Sequence, residues 1–188
     1  MADQQLYDNF YYSMYNGELI DLVDLMNTPG FCVNYKNPNQ FGNTPIKSAI
    51  ISNRVDLAEI LLNRGAKISI DHFFSVIIHK DKDRIPILKL FLDRNIFSLN
   101  QQLTIPGFLE IGIKTPLSIA AVFGNKEIVK FLLSRGAAVD QDAIKVTRVK
   151  GYEDIARILE TLPMTKIIKA SNEAVCSKGQ YTFDPSIY

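Results

Sequence analysis

The sequence predicts an all-α fold: a solenoid of five helix-turn-helix units, each burying its apolar face only against its neighbours. Three observations predict it. Thr44-Pro45-Ile46, Leu61-Leu62 and Arg64-Gly65-Ala66 return as Thr115-Pro116-Leu117, Leu132-Leu133 and Arg135-Gly136-Ala137, every element displaced by the same 71 residues. That spacing holds two units of about 33 residues and an insertion. Within each copy a capping residue precedes an apolar run and a glycine or asparagine follows it. A second run then carries apolar residues at three- and four-residue spacing with charges between them, the pattern of a helix wet on one side.

The other units follow from the same register. Shifting the second copy back by 36 residues reaches Asp8, Tyr15-Asn16-Gly17 and Leu25-Met26, and shifting the fourth forward by 27 reaches Asp142, Gly151-Tyr152 and Ile158-Leu159. A degenerate third copy lies at 71–78 and 87–92. The units fall near 5–36, 39–68, 69–98, 112–140 and 141–162, one repeat domain over 1–162, with 163–188 as a C-terminal capping segment or tail. Asp8, Thr44, Asp71, Thr115 and Asp142 are expected to be N-caps, with Pro45 and Pro116 at the first helical position, where a missing N–H costs nothing. The runs 46–51 and 117–122 are apolar on most sides and include Ala49, Ala120 and Ala121, which suits a helix sandwiched between close neighbours. Gly17, Gly124, Gly151 and Asn53 are expected to end the first helices, and Gly65 and Gly136 to close the second.

Residues 42–68, GNTPIKSAIISNRVDLAEILLNRGAKI, and 114–140, KTPLSIAAVFGNKEIVKFLLSRGAAVD, resemble ankyrin repeats, in which Thr-Pro-Leu opens the first helix and Gly-Ala follows the second. The family's usual His after Thr-Pro-Leu is replaced by Lys47 and Ser118. The fingers before Asp71 and Asp142 are short, whereas 95–114 is long, so the expected binding edge is uneven. The resemblance implies non-catalytic binding of another protein through the concave face and fingers. In phase, the groove positions are Tyr15, Asn16, Ile51, Ser52, Ile78, His79, Val122, Phe123 and Lys150, flanked on the finger side by Gln40, Phe41, Asn43, Phe108 and Glu110. Lys, Ile and Asn richness and the degenerate third unit also resemble ankyrin proteins of intracellular bacteria that act as effectors inside eukaryotic hosts, which makes a bacterial effector adaptor the alternative expectation.

Composition closes off other classes. Of the 188 residues, 47% are hydrophobic and 22% charged, enough apolar material for a core. Twenty-one Lys and Arg against twenty Asp and Glu leave +1, so no nucleic-acid partner is expected. The apolar runs fall short of the ~20 residues of a membrane span, and Met1-Ala2-Asp3-Gln4-Gln5 has neither part of a signal peptide, so a cytoplasmic monomer is expected (in the host cytosol for an effector). Cys32 and Cys176 lie too far apart for CxxC spacing, and no phosphate-loop, dinucleotide or zinc-protease motif occurs, so no cofactor or metal is expected. Cys32 reads as a small buried hydrophobe. The remaining catalytic pattern, a cysteine hydrolase using Cys176 with His72 or His79, is the outside alternative. Eleven Phe and eight Tyr exceed what five small helix pairs need, and Tyr35, Phe41, Phe97, Phe108 and Phe123 fall at fingers or helix ends, where aromatics serve protein interfaces.

Overall fold

The computed structural model describes residues 4–16, 19–80, 83–103 and 114–161. Among them are ten α-helices and no strand. The chain divides into two compact units, residues 1–68 and 69–188.

The first unit contains α1 (Gln4–Asn16), α2 (Leu19–Asn27), α3 (Pro45–Ile51) and α4 (Val55–Asn63), with a short 3-10 turn at Pro38–Gln40. α1 packs on α2, α3 on α4, and α1 on α3. Tyr7, Phe10, Tyr11 and Met14 recur at three- and four-residue spacing along α1 and are buried, as are Leu22 and Met26 of α2 and Ile46 and Ile50 of α3, the helices α1 packs on. Tyr7 stacks on Tyr35 at 4.1 Å and on Phe31 at 5.3 Å, and its hydroxyl donates to the Cys32 carbonyl at 3.2 Å while accepting from the Cys32 N–H at 2.5 Å. Part of the aromatic excess is therefore core. Cys32 itself is exposed, contrary to the buried reading, because Tyr7 takes its backbone and leaves the thiol outside.

The second unit contains α5 (Ile70–Ile78), α6 (Ile85–Asp93), α7 (Pro116–Val122), α8 (Lys126–Ser134), α9 (Gln141–Val149) and α10 (Glu153–Glu160). First helices stack in one row, α5 on α7 on α9, and α6 packs on α8 behind them. Every residue of α7 is buried, Ala120 and Ala121 at 0% exposure, as a sandwiched helix requires. Phe97, one of the aromatics assigned to a finger, is a core residue, 8% exposed and stacked on Phe73 at 4.3 Å.

Thr44 and Thr115 cap α3 and α7 as expected, each accepting from the third backbone N–H of its helix. Three caps are corrected. α5 is capped by Ser69 and α9 by Asp140, two residues before Asp71 and Asp142, and Asp8 lies inside α1, where its carboxylate accepts from Gln4 and Asn39. These first helices are longer than α3 and α7, so a register aligned on the helix ends misplaces their starts. The corrected start puts His72 in the place of Lys47 and Ser118, so the third unit keeps the histidine that the others lack. Its Nδ1 accepts from the Ser69 N–H at 2.9 Å, closing a capping box.

Successive repeats are tied by side chains that reach the next backbone. Asn34 Oδ1 accepts from the Lys67 N–H at 2.8 Å, and Asn100 Oδ1 from the Ala138 N–H at 2.8 Å, the same bond in two places. Arg64 donates to the Met26 carbonyl at 2.8 Å at the end of α2, and Arg135 pairs with Asp93, the last residue of α6. A guanidinium at a helix C-terminus also meets the negative end of the helix dipole.

Candidate functional site: finger and helix-end turns

In the first compact unit the finger 37–43 is held by its own backbone and by buried Asn37. The Asn37 N–H donates to the Asn43 carbonyl at 3.1 Å, and its own carbonyl accepts from the N–H groups of Gln40 at 3.1 Å and Gly42 at 2.8 Å. Asn37 Oδ1 accepts from Gln4 Nε2 at 2.8 Å and from the Asn39 N–H at 2.9 Å. Behind the finger, Tyr11 donates to the Asn43 carbonyl at 2.8 Å; burial pushes its hydroxyl pKa up to about 12. Hydrogen bonds from Gln4, then Asn37 and Asn39, hold the Asp8 carboxyl below its ordinary value.

The loop thus fixed carries Phe41 at φ 55° and ψ 30° with 98% of its surface exposed. A left-handed phenylalanine costs on the order of 1–2 kcal/mol, and its ring here buries nothing in return. Strain of this kind persists only where the surroundings over-determine it, and it concentrates at functional places. Gln40 and Asn43 are half-buried at the base of the loop, and Asn43 serves it through its carbonyl. At the helix ends of the same unit, Tyr15 and Ile51 are exposed, Asn16 is exposed with its amide on the Tyr12 carbonyl, and Ser52 is half-buried as the C-cap of α3.

In the second compact unit the expected groove residues separate. Val122 is a correction: it is fully buried, because it closes a helix packed on both sides. Ile78 is half-buried. His79 turns back on its own helix, with Nδ1 2.7 Å from the Ser75 carbonyl, so that nitrogen carries the proton and donates. Phe123 is half-buried and set edge-on to Phe74 at 5.8 Å, with Lys150 Nζ over its ring at 5.7 Å. Lys150 is exposed. Phe108, Glu110, Gly17 and Cys176 lie outside the described residues, as does the expected tail.

Two neighbours of this surface escaped the sequence reading. Lys80 Nζ donates to the Tyr152 hydroxyl at 3.2 Å and stands 4.7 Å above the Tyr152 ring, so a side chain following α5 reaches the start of α10. The Tyr152 ring in turn covers Gly124, where an added Cβ would lie 2.5 Å from ring atom Cζ. The available signal was positional: Tyr152 follows a helix-ending glycine where Asn125 and Arg54 stand in other copies. A cavity of about 350 Å³ nearby is lined by Lys80, Arg84, Asp83 and Glu127 among others, charges of both signs.

Residues 114–144 match the family model for the ankyrin repeat. These residues form an ankyrin repeat. That match covers α7, α8 and the first turn of α9, the copy with the capping box of Thr115 and Ser118. A search of the curated proteins returns no match. Ankyrin repeats are typically non-catalytic protein-protein interaction modules, and among the described residues no helix is long and apolar enough to cross a membrane. The ankyrin register also explains the left-handed residues: Asn53, Gly124 and Gly151 end first helices with φ of 58°, 71° and 82°, and Gly65, Asn95 and Gly136 end second helices at 84°, 53° and 90°.

Proposed function

We propose that this ankyrin-repeat chain binds another protein, without catalysis, through its finger and the helix-end turns that the concave face of the family would present. The observation that carries the reading is Phe41, a fully solvated aromatic held in a left-handed conformation by a closed hydrogen-bonded loop. Rigid aromatic anchors supply contact area at little entropic cost and dominate alanine scans of interfaces. Tyr15, Asn16, Gln40, Ile51 and Ser52 are proposed as the contacts around it, and His79, Phe123 and Lys150 as contacts on the second unit. The local engagement of both histidines, His72 in a cap and His79 on Ser75, speaks for binding over hydrolysis.

The test is affinity capture from a eukaryotic lysate with mass spectrometry, followed by affinity measurement on the captured partner with Phe41→Ala. A loss of at least tenfold, with unchanged far-UV dichroism, is expected for a hot-spot residue worth about 2 kcal/mol or more. An unchanged affinity overturns the reading. The effector adaptor is a narrower form of the same role, and secretion-dependent delivery of the tagged chain into host cells is its test.

A further inference from the structure

We propose that the helix-end surface of the second compact unit receives an acidic, extended segment of the partner protein, its carboxylates pairing with Lys80 and Lys150 and its apolar side chains lying on Phe123 and Tyr152. This rests on the protein-binding reading above and adds the chemistry of what is bound.

On the helices around this surface Lys126 pairs with Asp154 at 2.6 Å, Lys130 with Glu127 at 3.0 Å, and Arg148 with Glu160 at 2.8 Å and Glu153 at 3.5 Å. Lys80 and Lys150 do not follow that pattern: among the described residues, each is set over an aromatic ring and neither is paired with a carboxylate. A ring attracts an ammonium through its quadrupole and restricts its rotamers, yet leaves the full positive charge in place. An arriving carboxylate therefore gains an ion pair without breaking one, and meets side chains whose freedom is already reduced.

Both lysines belong to one continuous surface. Lys80 reaches Tyr152, Tyr152 covers Gly124, the preceding residue, Phe123, lies under Lys150, and Lys150 is two residues from Tyr152. The Tyr152 oxygen accepts from Lys80, so its own proton is left to donate to a carboxylate oxygen beside the ammonium. Charges alternating with ring faces suit an extended chain, whose side chains alternate in direction. Lys80 also stands at the edge of the nearby cavity, whose other charged lining residues, Asp83, Arg84 and Glu127, carry both signs.

The experiment uses the full isotope-labelled chain and two short synthetic peptides, one alternating glutamate with tyrosine and one with lysine in place of every glutamate. The acidic peptide is expected to shift the backbone amides of His79, Lys80, Phe123, Gly124, Lys150 and Tyr152, and the basic one to leave them in place. Lys80→Gln and Lys150→Gln are each expected to weaken acidic-peptide binding about two- to fivefold, the range of an exposed ion pair. Lys150→Arg, which keeps charge and ring contact, should bind as the parent does. Raising the ionic strength from about 0.1 M to about 1 M, which shortens the screening length from about 10 Å to about 3 Å, should weaken it further. Equal shifts with both peptides overturn the acidic assignment while leaving a docking surface. Shifts confined to other residues, or tighter binding of a thymidine oligonucleotide at the same amides, overturn the proposal; the Phe41→Ala affinity measurement remains an independent test of protein binding.

Discussion

Gly124→Ala tests the packing that joins the two lysines. At φ 71° the position lies in the left-handed region, where an L side chain costs on the order of 1–2 kcal/mol. The added Cβ would also stand 2.5 Å, 2.6 Å and 2.9 Å from Cζ, Cε1 and Cε2 of Tyr152. These atoms belong to a planar ring, so the whole side chain must swing away, and its contact with Lys80 goes with it. Overpacking of this kind costs about 1–3 kcal/mol. Gly136→Ala is the reference, because φ there is 90° and an added Cβ meets nothing within 4 Å. Both variants share the left-handed cost and the loss of unfolded-state freedom, so their difference isolates the Tyr152 overlap. At about 2–4 °C per kcal/mol for a chain of this size, Gly124→Ala should melt about 2–12 °C below Gly136→Ala. The assay is thermal unfolding followed by far-UV dichroism, repeated in a Tyr152→Ala background, where the difference should vanish. Equal melting of the two single variants would refute the placement of Tyr152 over the turn.

Four further outcomes are expected. Thr115→Ala removes a capping box and should cost about 0.5–2 kcal/mol in urea unfolding, more than Thr44→Ala, whose bond to the Lys47 N–H is long at 3.4 Å. Ala120→Leu, at a fully buried site between α5 and α9, should cost about 1–3 kcal/mol, and a parent-like melting curve would contradict the sandwiched inner helix. Tyr11 has its pKa raised by burial from 10.0 to about 12, so folding favours the protonated phenol; its contribution is complete below pH 10 and is lost as pH rises through about 12, and Tyr11→Phe should flatten that alkaline limb in a pH titration of stability. Asn34→Ala and Asn100→Ala should each speed amide exchange at their acceptor-linked residues, Lys67 and Ala138, without changing exchange elsewhere in the same compact unit.

The helices were legible where a residue type has one physical job. Thr-Pro fixes a helix start, a glycine after an amphipathic run fixes its end, and two copies with both signals set the register for the rest. The starts of α5 and α9 were not legible, because Ser69 competes with Asp71 and Asp140 with Asp142, and either member of each pair is an acceptable cap. At the candidate site, spacing placed residues on the turns and missed the depth of burial. Val122 and Phe123 are neighbours in sequence, yet one fills a core and the other edges a surface, a distinction set by the helices on either side. The strain at Phe41 was invisible for a similar reason: nothing in Gln40-Phe41-Gly42 says that the phenylalanine, and not the glycine alone, adopts positive φ. Lys80 and Tyr152 lie 72 positions apart, and only the stacking of repeats brings them together.

Phe41→Gly removes the exposed anchor and the left-handed strain together. Glycine adopts φ 55° freely, which returns about 1–2 kcal/mol of left-handed strain against about 0.4–1 kcal/mol of added unfolded-state freedom. Affinity for the captured partner and melting temperature are measured on the same preparation. At least a tenfold loss of affinity is expected, with a melting temperature equal to or above the parent's, the signature of a residue kept for contact at the expense of stability. An unchanged affinity, or a melting temperature that drops as far as that of a core substitution, would contradict it.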